Sequence, residues 1–278
     1  MRSLAEFVMK GRRQAIIAVL LIGAVPLIYF VSPVIVGLVI LRKGSQEAAL
    51  VLAWALLPFM AWALYPSIVL DAPANWLPVI MLLAVSGLAV LLRSTGSWQV
   101  VLLVAVAANL FFEFYLRVQP AMLDALLSQI NPLLEESGAR ESVSRGELIA
   151  LLASVHGGMS VLLLMWSRWL QSMLFNPGGF KTEFQGLRIE TKAVIPLMLL
   201  VLLAGFGLIV PDAWIFYFAM PLLFSGTALV HATIALKQLS PAWLFIFYAV
   251  LPVIVQFLIL FALVDSWYDF RKNMRKPT

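Results

Sequence analysis

The sequence predicts an all-helical bundle that crosses a membrane several times, with about eight hydrophobic segments in a single integral membrane domain, residues 1–278. Hydrophobic residues make up 63% of the chain and charged residues 12%, against about half and about a quarter in soluble domains. The uncharged runs are long enough to cross a bilayer, and tryptophan and tyrosine gather near their ends. A soluble fold could not bury so much apolar surface, whereas lipid can cover it.

The first hydrophobic segment, residues 14–41, is interrupted at Pro26 and at Ser32-Pro33. Each half has about a dozen residues, or roughly 18 Å of helix, against a hydrocarbon core of about 30 Å. The segment is therefore either one broken helix or a re-entrant hairpin that enters the membrane and returns.

The other hydrophobic segments are separated by polar connectors. Pro58 and Pro66 predict kinks in the first of them, because proline removes a backbone hydrogen bond. These segments are, in order, residues 48–70, 77–92, 98–116, 147–175, 193–210, 214–236 and 242–264.

The loop 118–146 predicts an amphipathic helix that lies on the extracytoplasmic membrane surface. A break is expected at Asn131-Pro132, and Ser144 with Glu147 forms a capping box that begins the next helix. The apolar residues at helical spacing in this loop are Met122, Leu123, Leu126, Leu127, Ile130, Leu133 and Leu134.

The connector 176–192 is expected at the cytoplasmic face. Asn176-Pro-Gly-Gly ends the preceding helix, because proline lacks a donor and glycine tolerates left-handed backbone dihedrals. The connector and the end of the helix before it carry four cations, as is typical of cytoplasmic loops: Arg168, Lys181, Arg188 and Lys192. Its apolar residues are expected on the membrane surface with the charges toward water, and they are Phe180, Phe184, Leu187 and Ile189.

The net charge of +5 indicates contact with anionic lipid rather than nucleic acid, since the cations lie at the ends of hydrophobic segments. The chain has no cysteine, which excludes disulfides and thiolate chemistry. No catalytic motif is recognised, so we expect neither an enzyme nor a cofactor.

Three polar residues within apolar segments are candidates for ligand binding: Asn109, His156 and His231. A histidine at membrane depth indicates either a functional site or a structural hydrogen bond to a neighbouring helix. Around His156, the small residues Ala153, Gly157 and Ser160 predict a packed helix face. Two histidines without an intramembrane carboxylate do not make a metal site.

Charged residues near segment ends predict ion pairs. Glu113 and Arg117 are four residues apart on one helix, and Asp265 and Asp269 lie close to Arg271. We expect these pairs at the membrane boundary and in the tail.

Four stretches are distributed along the chain in this order: Gly11-Arg-Arg with Leu41-Arg-Lys-Gly44, Asn176-Pro-Gly-Gly-Phe-Lys-Thr-Glu-Phe-Gln-Gly-Leu-Arg188, Gly226-Thr-Ala-Leu-Val-His231, and Ala262-Leu-Val-Asp-Ser-Trp-Tyr-Asp-Phe-Arg-Lys272. In this order they resemble the YybS-like family of bacterial membrane proteins, a family of unknown function, and the resemblance extends over essentially the whole chain.

That family is similar to the substrate-capturing membrane subunits of energy-coupling-factor transporters. The resemblance implies a helical bundle in the bacterial cytoplasmic (inner) membrane, with a small-molecule pocket and a membrane protein partner. Those subunits dock their partner through an Ala-xxx-Ala face on the first helix. Here Ala15 and Ala18 have a different spacing, and Gly11-xxx-Ala15 is the nearest match.

Two functions are therefore expected as alternatives. The first is a small-solute-binding or transport subunit whose pocket carries Asn109, His156 and His231. The second is a non-catalytic membrane protein that organises or regulates an envelope complex through its connector and tail. Independently of these functions, the distribution of Lys and Arg among the loops predicts a cytoplasmic N-terminus.

Overall fold

The computed structural model describes residues 1–26, 28–64, 76–136 and 144–275. Within these ranges the regular structure consists of helices without any strand, which confirms the predicted all-helical fold. The predicted kink at Pro66 lies outside the described residues, whereas Pro58 lies inside a helix.

The helices cluster into two compact units, Met1–Gly178 and Gly179–Thr278, where the sequence predicts one domain. The boundary falls in the Asn176-Pro-Gly-Gly stretch, as expected for a sequence that ends a helix. Gly178 has φ of 85°, a backbone conformation that favours glycine over residues with a Cβ atom.

The described part of the first unit consists of eight α-helices. They are α1 (Arg2–Lys10), α2 (Arg12–Gly23), α3 (Val31–Lys43), α4 (Ser45–Leu64), α5 (Leu77–Thr95), α6 (Trp98–Val118), α7 (Pro120–Glu136) and α8 (Arg145–Phe175).

The second unit is also helical, with a short 3-10 helix, Asp212–Trp214, before its central helix. Its α-helices are α9 (Gly179–Gly186), α10 (Thr191–Gly205), α11 (Ile215–Leu236), α12 (Ala242–Tyr268) and α13 (Phe270–Arg275).

Among the described residues, some helices are long and apolar enough to cross a membrane, as the composition predicts. Shorter apolar helices occupy Ser45–Ala61 and Thr191–Gly205, and the latter ends before the predicted boundary at residue 210. The five long ones are Leu77–Thr95, Trp98–Val118, Arg145–Phe175, Asp212–Leu236 and Ala242–Tyr268.

The interrupted segment 14–41 forms a hairpin of α2 and α3. At the start of α2, Arg12 Nη2 lies 2.6 Å from Oε1 of Glu47, which follows the end of α3. At the other end, Ser32 Oγ lies 3.5 Å from the Val19 carbonyl oxygen, to which it donates. The two helices therefore run antiparallel, as a hairpin requires.

Helix α3 is the centre of the first unit and is buried from Val31 to Leu41. Ser167 on α8 donates to the Val34 carbonyl at 3.1 Å, and a Cβ atom on Gly37 would lie 2.6 Å from Ser167 Oγ. The backbones of α3 and α8 therefore approach closely, as small residues permit in membrane helices.

The C-terminal carbonyls of α3 are satisfied by a side chain from α5. Arg93 Nη1 donates to the carbonyls of Ile40 at 3.2 Å and Leu41 at 2.6 Å. A helix end leaves such acceptors unpaired, so this cation stabilises the end of the most buried helix.

The amphipathic helix predicted in the loop 118–146 is present as α7, but the predicted break is wrong. The helix continues through Asn131 and Pro132 to Glu136. Leu123 and Leu127 are buried. Proline in this position costs a backbone hydrogen bond without ending the helix.

The connector also departs from its prediction. Phe180 and Phe184 lie on α9 and are partly exposed, but Leu187 and Ile189 are 4% and 1% exposed. These two side chains therefore pack inside the second unit rather than on a membrane surface.

A buried cation holds the end of the second unit together. Arg271 pairs with Asp265, as predicted, and both residues are buried. Arg271 Nη2 also donates to the carbonyl oxygen of Leu187 at 2.8 Å and to that of Ser225 at 3.4 Å. One guanidinium thus joins the connector, α11 and the end of α12.

Candidate functional site

The site is organised around a stacked pair of rings between α6 and α8. The centroids of Phe112 and His156 are 4.3 Å apart, with an angle of 25° between the ring planes. Helix α8 begins at the predicted capping box, in which the Ser144 Oγ accepts from the Glu147 amide at 3.2 Å and the Glu147 carboxylate accepts from the Ser144 amide at 2.6 Å.

Small residues bring α6 and α8 together at this pair. Ala153 and Ser160 are buried, with 0% and 1% of their surfaces exposed, and Gly157 lies between them. A Cβ atom on Gly157 would lie 1.6 Å from Asn109 Oδ1, so no larger residue fits in this position. The predicted packed face is thus confirmed, and it seats Asn109 against the α8 backbone.

His156 has a polar atom without a partner. Its Nε2 atom is buried and forms no hydrogen bond with the described residues. Ser160 lies one turn away, but its Oγ donates to the His156 carbonyl oxygen at 2.9 Å. Leaving a buried imidazole nitrogen unpaired costs about 1–3 kcal/mol, so a bound group that supplies the missing hydrogen bond would be favoured.

Two cavities adjoin the stacked pair, and both are lined by Phe112 and His156. The first has a volume of about 570 Å³, and the second a volume of about 590 Å³. Either is within the range of about 300–1,000 Å³ that is typical of sites for small molecules.

The first cavity lies between the turn that follows α2, the start of α5 and the outer side of α8. It is bounded in part by Val155 and Leu162, which are 58% and 51% exposed, so it opens to the side of the helices. Its remaining lining is almost wholly apolar and includes Tyr29, Phe30, Leu77, Met81 and Trp166.

The second cavity lies between α5 and α6, on the other side of the stacked pair. Its polar lining consists of Asn109, Tyr115, Ser160 and His156, and its other side chains are apolar or aromatic. Both cavities thus suit a mainly apolar molecule that carries one hydrogen-bonding group.

An ion pair lies one turn beyond Asn109. Arg117 donates to Glu113 Oε1 from Nε at 2.8 Å and from Nη2 at 2.6 Å. The side chain of Glu113 is 3% exposed and that of Arg117 is 47% exposed. The predicted pair is thus confirmed, with the carboxylate buried and the cation at the surface.

Of the three predicted ligand-binding residues, the structure brings Asn109 and His156 together and places His231 in the second unit. His231 lines neither cavity, and its Nε2 lies 2.8 Å from the Tyr248 hydroxyl on α12. The Phe184 ring lies 5.1 Å away in an edge-to-face arrangement. His231 therefore has the hydrogen bond to a neighbouring helix that was the alternative to a binding role.

The sequence did not identify Phe112 as part of the site. Phenylalanine is common in apolar helices, and its spacing from His156 along the chain carries no signal of contact.

The described residues contain no group of three or more histidine, aspartate or glutamate side chains that could hold a metal ion. Comparison with known proteins found no matching family model, no matching curated protein and no matching solved structure.

Proposed function

We propose that this chain is a multi-pass protein of the bacterial cytoplasmic membrane that binds a small solute, as a binding or transport subunit without enzymatic activity. The observation that carries the proposal is the unpartnered Nε2 of His156, in the wall between two cavities large enough for a small molecule. The YybS-like family, which the sequence resembles, is similar to substrate-capturing transporter subunits, and this similarity favours the same function.

The solute is mainly apolar. Most of both linings is hydrocarbon or aromatic, and a strongly polar solute would lose its hydration there without compensation. A single hydroxyl or carbonyl group would supply the missing hydrogen bond if a small rotation of the His156 ring turns its buried Nε2 toward the cavity. The first cavity opens to the side of the helices, so such a molecule would enter from the lipid rather than from water.

The proposed topology has eight hydrophobic segments, of which the first is the α2–α3 hairpin. This hairpin enters the membrane and returns, so that the N-terminus and Lys43 lie on the same, cytoplasmic, side. Crossings by α4, α5, α6 and α8 then return the chain to the cytoplasm at Lys181, and α7 lies on the opposite surface. Short loops with Arg93 and Lys237 on the cytoplasmic side agree with this assignment.

Docking of a partner through the first helix is not supported by the packing. Ala15 and Ala18, which would belong to such a face, are 0% and 4% exposed because α2 packs against α3 and α4. A partner protein would have to use another surface.

The test compares small molecules that remain bound to the purified protein. Extracts of wild type, His156→Leu and His231→Leu would be analysed by mass spectrometry, with melting temperatures measured in parallel. We expect a compound enriched with wild type and His231→Leu but lost from His156→Leu, while His156→Leu stays folded. The same compounds in all three extracts would contradict the proposal.

The alternative function, organisation of an envelope complex, rests on α9. No residue of this helix is buried, and Lys181 is exposed on it, so the helix could contact a partner. A protein that co-purifies with wild type and is lost on Lys181→Glu, together with no bound small molecule, would favour this alternative.

A further inference from the structure

Helix α12 is the least covered of the long apolar helices. In its most apolar stretch 11% of the residues are buried, whereas the other long helices have between 44% and 61% buried. In the second unit α12 packs against α11 and α10 through a single face. The buried residues of α12 are Phe247, Leu258, Ala262, Asp265 and Ser266.

One polar residue lies on the uncovered face. Gln256 is near the middle of α12, and it is opposite Leu258 around the helix because two residues correspond to about 200°. Gln256 is exposed and forms no hydrogen bond with the described residues, while Val253 on the same face is 81% exposed. In a membrane this amide would meet hydrocarbon, which cannot satisfy its donors or its acceptor.

The residues around Gln256 have the spacing of a helix-packing seam. Intervals of four and three residues separate successive positions, which is the repeat that keeps one side of a helix against a partner helix. These positions are Ala249, Val253, Gln256, Leu260, Leu263 and Trp267. A single polar residue in the middle of an otherwise apolar seam fixes the register of two paired helices.

We infer that this face of α12 binds a second copy of the chain, in a parallel pair related by a two-fold axis. In such a pair each residue of the seam meets its own counterpart at the same membrane depth. Among uncharged side chains an amide is self-complementary, because it both donates and accepts a hydrogen bond. Gln256 therefore pairs with Gln256 of the second copy, and neither amide is left in lipid. The inference relies on the membrane placement proposed above but not on solute binding.

The experiment uses single cysteines, since the natural chain has none. Leu260 and Phe261 are adjacent and are both 55% exposed, but only Leu260 belongs to the seam. The variants Leu260→Cys and Phe261→Cys would each be reconstituted into lipid vesicles at a low protein-to-lipid ratio and then oxidised. We expect a disulfide-linked dimer with Leu260→Cys and much less with Phe261→Cys.

Adding Gln256→Leu to Leu260→Cys should weaken dimerisation by about tenfold, which is the order expected from losing interhelical hydrogen bonds in a membrane. The melting temperature of the monomer should not fall, since Gln256 lies outside the packed face. Equal crosslinking at both positions, or no effect of Gln256→Leu, would overturn the inference. If Gln256 bonds within its own chain, the cysteine variants stay monomeric and Gln256→Leu lowers the melting temperature, which would also overturn it.

Discussion

Asn109 and Gly157 are in direct contact between α6 and α8, so that a Cβ atom at position 157 would lie 1.6 Å from Asn109 Oδ1. Asn109 is 1% exposed and cannot turn toward solvent to make room. The contact fixes the distance between the two helices that carry Phe112 and His156. The geometry of the site therefore depends on the absence of a side chain at position 157.

The first prediction is that Gly157→Ala destabilises the protein by about 1–3 kcal/mol, the usual cost of forcing an extra methyl group into packed side chains. Gly158→Ala is the matched control, because no atom lies within 4 Å of a Cβ atom at that position. Thermal unfolding of both variants in the same detergent would measure the difference. Equal melting temperatures would show that α6 and α8 separate easily.

The second prediction concerns the wall between the cavities. Phe112 is 5% exposed, so Phe112→Ala should lower the free energy of unfolding by about 3–5 kcal/mol and leave His156 without its stacking partner. Phe114→Ala on the same helix is the control, since Phe114 is 61% exposed. If solute is retained by Phe114→Ala and lost by Phe112→Ala, the stack contributes to the site. Equal stability of the two variants would contradict the packing of Phe112.

Local signals in the sequence predicted several of these features. Three predicted features depend only on residues that are close in the chain, and the structure has all of them. They are the capping box at Ser144, the helix end before Gly178 and the helix face of small residues at Gly157. The Phe112–His156 stack joins residues far apart in sequence, so no local pattern indicates it. Likewise, the spacing predicts that Arg271 pairs with Asp265 but cannot show that both are buried.

The two wrong predictions have a common physical cause. A proline was expected to break α7 at Pro132, and apolar residues of the connector were assigned to the membrane surface. In both cases packing within the chain determines the structure. Helix α7 continues past Pro132, and its Leu123 and Leu127 are buried. Leu187 is buried within the second unit, where its carbonyl oxygen accepts a hydrogen bond from Arg271.

The third prediction tests the buried ion pair of the second unit. Arg271→Met should cost about 3–5 kcal/mol, because it leaves the Asp265 carboxylate buried without its cation. The double variant Asp265→Leu/Arg271→Met should recover much of that loss, because no unpaired charge remains buried. Lys272→Met, at an exposed neighbouring position, is the control. A double variant less stable than the single one would mean that the hydrogen bond from the Phe270 amide to Asp265 Oδ1, which only the double variant loses, outweighs the cost of the unpaired carboxylate.

The fourth prediction is a loss of stability in acid through Asp269, which lies 2.6 Å from Arg188. Partial burial raises the pKa of Asp269, but the Lys272 amide and Arg188 lower it by more, so its pKa lies below the ordinary value. The stabilisation is therefore complete above the unfolded pKa of about 3.9 and is lost as the pH falls through the lower folded pKa.

Asp269→Asn isolates this contribution, because asparagine also tolerates the left-handed backbone at this position, where φ is 49°. We expect the wild type to be more stable than Asp269→Asn at neutral pH, and the difference between their melting temperatures to shrink as the pH falls below the unfolded pKa of about 3.9. A constant difference at every pH would assign the effect to something other than the ionised carboxylate.

The last prediction distinguishes a hairpin from a crossing in the N-terminal segment. Arg12 and Glu47 form an ion pair whose side chains are 50% and 45% exposed, so both lie at one end of the hairpin near water. Lys10→Cys and Gln46→Cys should therefore react with a membrane-impermeant thiol reagent from the same side, the cytoplasm. Lys181→Cys should react from that side too, because four crossings separate it from Gln46. Lys10→Cys and Gln46→Cys reacting from opposite sides would show that residues 14–41 cross the membrane once, and that the ion pair does not form in the bilayer.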